Sequence, residues 1–245
     1  MNAREEIRAL GVRGVPVVTR GDRFVFGVER DFAKLDELLG LQHVSGGRLL
    51  PGEELVERAC RLLDTAMAYA KQLPPAHFDD VIPGMEDADP ETFILDGHVV
   101  VSADGKPYVP HHTYIGLVRH IFGHGVKFRL EVEHPETDLS NLGIYAQTGE
   151  PAQNVTVAEL DERTKVIVAD IRKWWKGARK TELEQTMRSF AGPETLHLML
   201  QREVYSLTQH TRQLMTVLRI LGIEPYRSLG EAEFEGLQLP TGVWN

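Results

Sequence analysis

The sequence predicts a mainly α fold, a four-helix bundle behind a small α/β module. Three observations point there. Four stretches, at about 51–73, 113–130, 156–176 and 192–222, repeat apolar residues at spacings of three and four, which puts one stripe of a helix against its neighbours. Extended connections with turn signals separate these stretches, as helices packed side by side require. The opening residues differ: two β-rich runs flank Arg20-Gly21-Asp22, with helical patterns on either side. These divisions give a module over 1–42, a bundle over 50–225 and a tail over 226–245.

Residues 1–10 form a short helical pattern with Ile7 and Leu10 on one side. Val15–Thr19 and Arg23–Phe26 read as the strands of a hairpin. Asp31 suits the cap of a helix whose apolar side is Phe32, Leu35, Leu38 and Leu39, and Gly40 ends it. His43–Leu50 reads as a linker. The first long helix buries Leu55, Val56, Ala59, Leu62, Leu63, Ala66, Met67 and Ala70, and stops at Pro74-Pro75. Cys60 follows Val56 by four and so faces the same side, as a small buried hydrophobe. Residues 76–111 are irregular, with a short strand at Gly97–Ser102.

The second helix, Thr113–Leu130, sets Leu117, Ile121 and Phe128 on one stripe, with His124 in it and His120 at its edge. Gly123 and Gly125 weaken its C-terminal half. Thr156-Val-Ala-Glu159 is a capping box opening the third, whose face is Leu160, Ile167, Ile171 and Trp174. A short extra helix is expected within 178–191. The last helix is read from Gly192 to Gly222, with Pro193 at a first helical position and Gly222 and Pro225 as the stop. Its stripe is Leu196, Leu200, Leu207, Leu214, Val217 and Leu221.

Composition narrows the function classes. A net charge of −9 speaks against a nucleic-acid partner, which calls for a basic face, and against an anionic membrane surface. No apolar run approaches the ~20 residues of a membrane span. The N-terminus lacks the apolar core of a signal peptide, and one cysteine cannot close an internal disulfide. These features point to a cytoplasmic protein; with nucleic acid and membrane set aside, a small molecule is a possible partner. A homodimer is compatible with exposed helix faces, though no stretch specifies one.

Two positions on the stripe of the last helix are polar, Glu203 and His210, seven residues apart with Ser206 and Gln213 beside them. A carboxylate and an imidazole turned toward a core need partners or a metal, because burying them alone costs several kcal/mol. His120 and His124 are four apart on another helix. Imidazole and carboxylate suit zinc or nickel, and a catalytic site takes three such ligands with one position open. With ten histidines in the chain, the same spacing also fits histidines hydrogen-bonded within the core or partly exposed.

Residues 1–40 resemble the C-terminal half of a glutaredoxin, through Val15-Pro16 before the hairpin, Gly21-Asp22 and Gly27. The half that would carry Cys-x-x-Cys is missing, so the resemblance implies a truncated thioredoxin-like segment that is no thiol–disulfide oxidoreductase. Leu117–Gly125 (LVRHIFGHG) and Ser206–Leu214 (SLTQHTRQL) resemble the DinB-like, maleylpyruvate isomerase-like family of four-helix bundles. That resemblance implies a metal-dependent hydrolase, isomerase or thiol S-transferase. It carries one ligand over to His120 and the last to His210. Ser206 stands where the family has histidine or glutamate, and Glu203, one turn earlier, is the substitute. The implied ligand set is thus His120, His210 and Glu203, holding zinc or nickel, with His124 as the proton-transfer candidate and a low-molecular-weight thiol as co-substrate. The open position would take a water or a thiolate. The competing expectation is a non-catalytic binding protein in which the metal site is vestigial and His120, Glu203 and His210 are a buried hydrogen-bonded cluster.

Overall fold

The computed structural model describes residues 17–21, 23–26, 32–40, 49–86, 94–95, 98–99, 112–134, 155–177, 180–189, 192–237 and 239–244. Among them the fold is mainly helical. The helix expected at 1–10, the Val15-Pro16 pair, Asp22, Gly27, Asp31 and most of the linker lie outside the described residues. Strands β1 (Val17–Arg20) and β2 (Arg23–Phe26) form the expected antiparallel hairpin, with Val18 opposite Val25. Helix α1 (Phe32–Leu39) packs on it, and the Arg20 guanidinium donates to the Leu38 carbonyl at 3.0 Å.

Helix α2 (Gly52–Gln72) buries the predicted face, Cys60 included, and ends before the two prolines. Residues Pro75–His77 form a single 3₁₀ turn, and β3 (Ile94–Leu95) pairs with β4 (His98–Val99). Helix α3 (Tyr114–Glu133) starts where the Thr113 hydroxyl accepts from Gly116 N–H, at 3.2 Å. It runs on through Gly123 and Gly125, because tertiary packing outweighs their poor propensity. A Cβ at Gly125 would lie 2.8 Å from Leu63 Cδ2 of α2, so the glycine is what lets these helices approach. Helix α4 (Val157–Gly177) opens with both halves of the expected box: Glu159 accepts from Thr156 N–H at 2.8 Å, and the Thr156 hydroxyl accepts from Glu159 N–H at 3.2 Å.

The region before the last helix corrects the sequence reading. A 3₁₀ segment (Lys180–Glu184) leads into a hairpin of β5 (Thr186–Ser189) and β6 (Gly192–Thr195), so Pro193 lies in a strand instead of starting a helix. The stronger cap is Thr195, whose hydroxyl accepts from Leu198 N–H, and α5 (Leu196–Ile220) begins there. Gly222 takes φ 71°, and Ile223 N–H reaches back to the Leu218 carbonyl at 2.9 Å to close the helix.

Helix α2 packs against α3, α4 and α5, and α3 packs against α4 and α5. One apolar core runs between them through Leu62, Leu117, Ile121, Leu160, Leu200, Leu207 and Leu214. The C-terminal residues are tied down as well. Arg58, buried in α2, donates to the Glu233 and Glu235 carbonyls around α6 (Glu231–Phe234), and Phe234, Leu237 and Trp244 pack on the core. Among the described residues no helix is long and apolar enough to cross a membrane.

The α2–α3 contact gives a test of the packing. Gly125→Val is expected to lower stability by about 1–3 kcal/mol in chemical unfolding, since the added carbons must displace buried Leu63. An unchanged midpoint would place α3 farther from α2 than described.

Candidate metal centre

Helix periodicity builds the site. His120 and His124 sit one turn apart on the inner face of α3, and Glu203 and His210 two turns apart on the inner face of α5. The helices pack together, so the four side chains meet. His120 Nε2 lies 3.1 Å from His210 Nε2 and 3.2 Å from His124 Nε2. His120, His124 and His210 offer one ring nitrogen each, all within 4.8 Å of one another. Ring centroids stand 4.4, 4.7 and 5.4 Å apart. His120, His124 and Glu203 are buried, and His210 is half-buried.

The far ends of two rings are fixed by groups whose roles are unambiguous. His124 Nδ1 is 2.8 Å from Glu203 Oε2, and Lys127 Nζ donates to Glu203 Oε1 at 2.7 Å. Burial raises the Glu203 pKa, but Lys127, the His124 hydrogen bond and Arg202 outweigh it and hold the carboxyl far below the usual range. An ionised carboxylate only accepts, so His124 carries a proton on Nδ1. His210 Nδ1 is 2.8 Å from Gln213 Oε1, while Gln213 Nε2 donates to the Val243 carbonyl at 3.1 Å. A carbonyl also only accepts. It therefore fixes the Gln213 amide, and the amide oxygen fixes a proton on His210 Nδ1.

With both outer nitrogens protonated, His124 and His210 each turn their Nε2 to one atom, His120 Nε2. That atom holds one hydrogen at most, so only one of the two contacts is an ordinary hydrogen bond. A cation among the three nitrogens removes the conflict. The spacing suits a metal: ligands ~2.05 Å from a tetrahedral zinc stand ~3.3 Å from each other, close to the two distances observed. The donor set, three imidazoles of which two have their outer nitrogens held by Glu203 and Gln213, is one that zinc and nickel accept.

The sequence expectation and the geometry differ at one place. His120 and His210 are where the reading puts them, but Glu203 stands behind His124 and not among the three nitrogens, and His124 occupies the third corner. One turn of α3 brings His124 level with His120, whereas the Glu203 carboxylate lies two turns from His210 and is engaged by Lys127. Ser206 is buried in α5. Sequence reasoning missed Lys127, although it falls three residues after His124 and four before Glu131, on the helix face that carries His120 and His124. It named Gln213 only as a neighbour of His210. Val243 carries no side-chain signal, because its contribution is a backbone carbonyl.

A wider ring of buried charge surrounds the centre. Arg202 donates to Glu194 Oε2 at 2.7 Å, and Lys127 Nζ is 3.6 Å from Glu131 Oε1. Burial pushes the fully enclosed Glu131 carboxyl up to about 8, against the pull of Lys127 and with the help of Glu203. Comparison with known proteins adds no relative: no protein-family model, curated protein or solved structure matches the chain.

Glu131 titrates at higher pH in the folded protein than in the unfolded chain. Its folded pKa lies above the unfolded value near 4.5. Its contribution to stability is therefore complete at pH 4 and is lost as pH rises toward about 8, at up to ~1.4 kcal/mol per pH unit. In metal-free buffer, denaturant unfolding between pH 5 and 8 is expected to show a shallower decline for Glu131→Gln than for the parent. Parallel profiles would mean that Glu131 is ionised in the folded protein.

Proposed function

We propose that this chain is a DinB-like four-helix-bundle metalloprotein in which His120, His124 and His210 hold a divalent ion, zinc or nickel, at the centre of a metal-dependent thiol S-transferase, isomerase or hydrolase. The observation that carries the reading is the meeting of three Nε2 atoms, two of which stand against a third that can make only one ordinary hydrogen bond. The truncated thioredoxin-like unit before the bundle belongs to the same reading and favours a low-molecular-weight thiol as co-substrate. On this reading Ser206 does not make the site vestigial, because His124 supplies the third nitrogen from α3.

Such an ion would supply Lewis-acid polarisation of a substrate carbonyl or a lowered pKa for a water or thiol. The chain's own residues set the conditions. His124 and His210 present Nε2 because Glu203 and Gln213 hold the Nδ1 protons. Glu203 also keeps its charge at neutral pH and so strengthens His124 as a donor. Lys127 neutralises that carboxylate within the core. Cys60 is no candidate for the reacting thiol: burial pushes it up to about 12, which the nearby Arg172 does not offset, and it is enclosed in α2's inner face.

Elemental analysis of tag-free protein tests this directly. The parent is expected to hold one zinc or nickel per chain, and His120→Ala, His124→Ala and His210→Ala each to lose it. Glu203→Gln should keep the ligands but weaken binding ~10–100-fold. Substoichiometric metal in the parent after reloading would leave a hydrogen-bonded histidine cluster in a binding protein.

A further inference from the structure

The C-terminal segment lies on the part of α5 that presents His210. Three side chains from two neighbouring turns of α5 hold it, all by main-chain carbonyls. Arg212 donates from Nη1 to Pro240 at 2.8 Å and from Nη2 to Thr241 at 2.9 Å. Gln209 and Gln213 both donate to Val243, at 2.7 and 3.1 Å. Positions 209 and 213 bracket His210, one residue before it and three after. Trp244 packs on the core beside them. The segment is thus fastened through its backbone path and not through the identity of its polar side chains.

This arrangement has a consequence for the ligand. The Val243 carbonyl is what forces the Gln213 NH₂ group outward and its oxygen onto His210 Nδ1. Without that carbonyl the amide can turn over and offer NH₂ to the ring. His210 would then accept at Nδ1 and carry its proton on Nε2, where the metal must bind. We propose that Gln213 is a positioning residue that makes the ligating tautomer of His210 conditional on the seating of residues 240–243. The inference rests on the metal reading above and adds its control: an ordered C-terminal segment favours metal, and by reciprocity bound metal favours the ordered segment.

Two measurements on the full chain test it: zinc affinity by chelator competition, and amide hydrogen exchange of residues 241–244 with and without zinc. In the parent, zinc is expected to slow exchange in this segment. Gln213→Leu should lose that protection and bind zinc ~10–100-fold more weakly. Gln213→Glu keeps an acceptor for His210 without needing Val243, so its affinity should stay within roughly threefold of the parent while the protection disappears. Arg212→Ala touches no histidine; it should loosen the segment and weaken zinc binding. A Gln213→Leu protein that binds like the parent, or a loosened segment in Arg212→Ala with unchanged affinity, overturns the proposal while the metal site stands. A parent chain that binds no zinc or nickel overturns the metal reading and this inference together. Should Gln213→Leu fail to fold, the Glu and Arg212 variants decide alone.

Discussion

A single buried carboxylate joins the two helices on which the site depends. Glu203 on α5 takes the Nδ1 proton of His124 and the ammonium of Lys127, both on α3. These contacts set the register of one helix against the other, because moving either by a residue would separate His120 from His210. They also make the orientation of His124 independent of any metal. These groups are buried, so losing the pairing would leave a buried charge without its closest partners, which is costly enough to oppose slippage.

The same physics explains why so much charge lies in the middle of the fold. Buried ion pairs contribute little net stability, since desolvation cancels most of the attraction. Their use here is geometric. Lys127 offsets Glu203, Arg202 engages Glu194, and Glu131 is kept largely protonated by burial. The result is a low-dielectric region in which hydrogen-bond directions are fixed and in which a divalent ion would meet donors already aimed. His210 is supported differently, by a neutral amide and a carbonyl from the chain's last residues, so the two ends of the site answer to different parts of the fold.

Much of this was legible in the sequence. The period of apolar residues located α2, α3, α4 and α5, and Thr156-Val-Ala-Glu159 fixed a helix start to the residue. His120, His124, Glu203 and His210 stood out as polar positions on apolar stripes. The start of α5 was misread because Pro193 fits a first helical turn as well as a strand, and only pairing with Thr186–Ser189 decides between them. That His124 lies nearer the other two histidines than Glu203 does is not readable from spacing along one helix, which cannot show which atom of a neighbouring helix faces it. The link from His210 to Val243 spans two hydrogen bonds and ends on a carbonyl, a group that every residue possesses and no pattern marks.

The proposed site requires His124 and His210 to be held with protons on Nδ1 and lone pairs on Nε2, ready for a shared ion. Long-range ¹⁵N–¹H correlation on the metal-free, ¹⁵N-histidine-labelled protein reads this state directly, with His→Ala variants giving the assignments. Nδ1–H signatures are expected for both residues, with perturbation of the Nε2 signals of His120, His124 and His210 at one equivalent of zinc. A dominant Nε2–H form of either ring, unchanged by zinc, would contradict it.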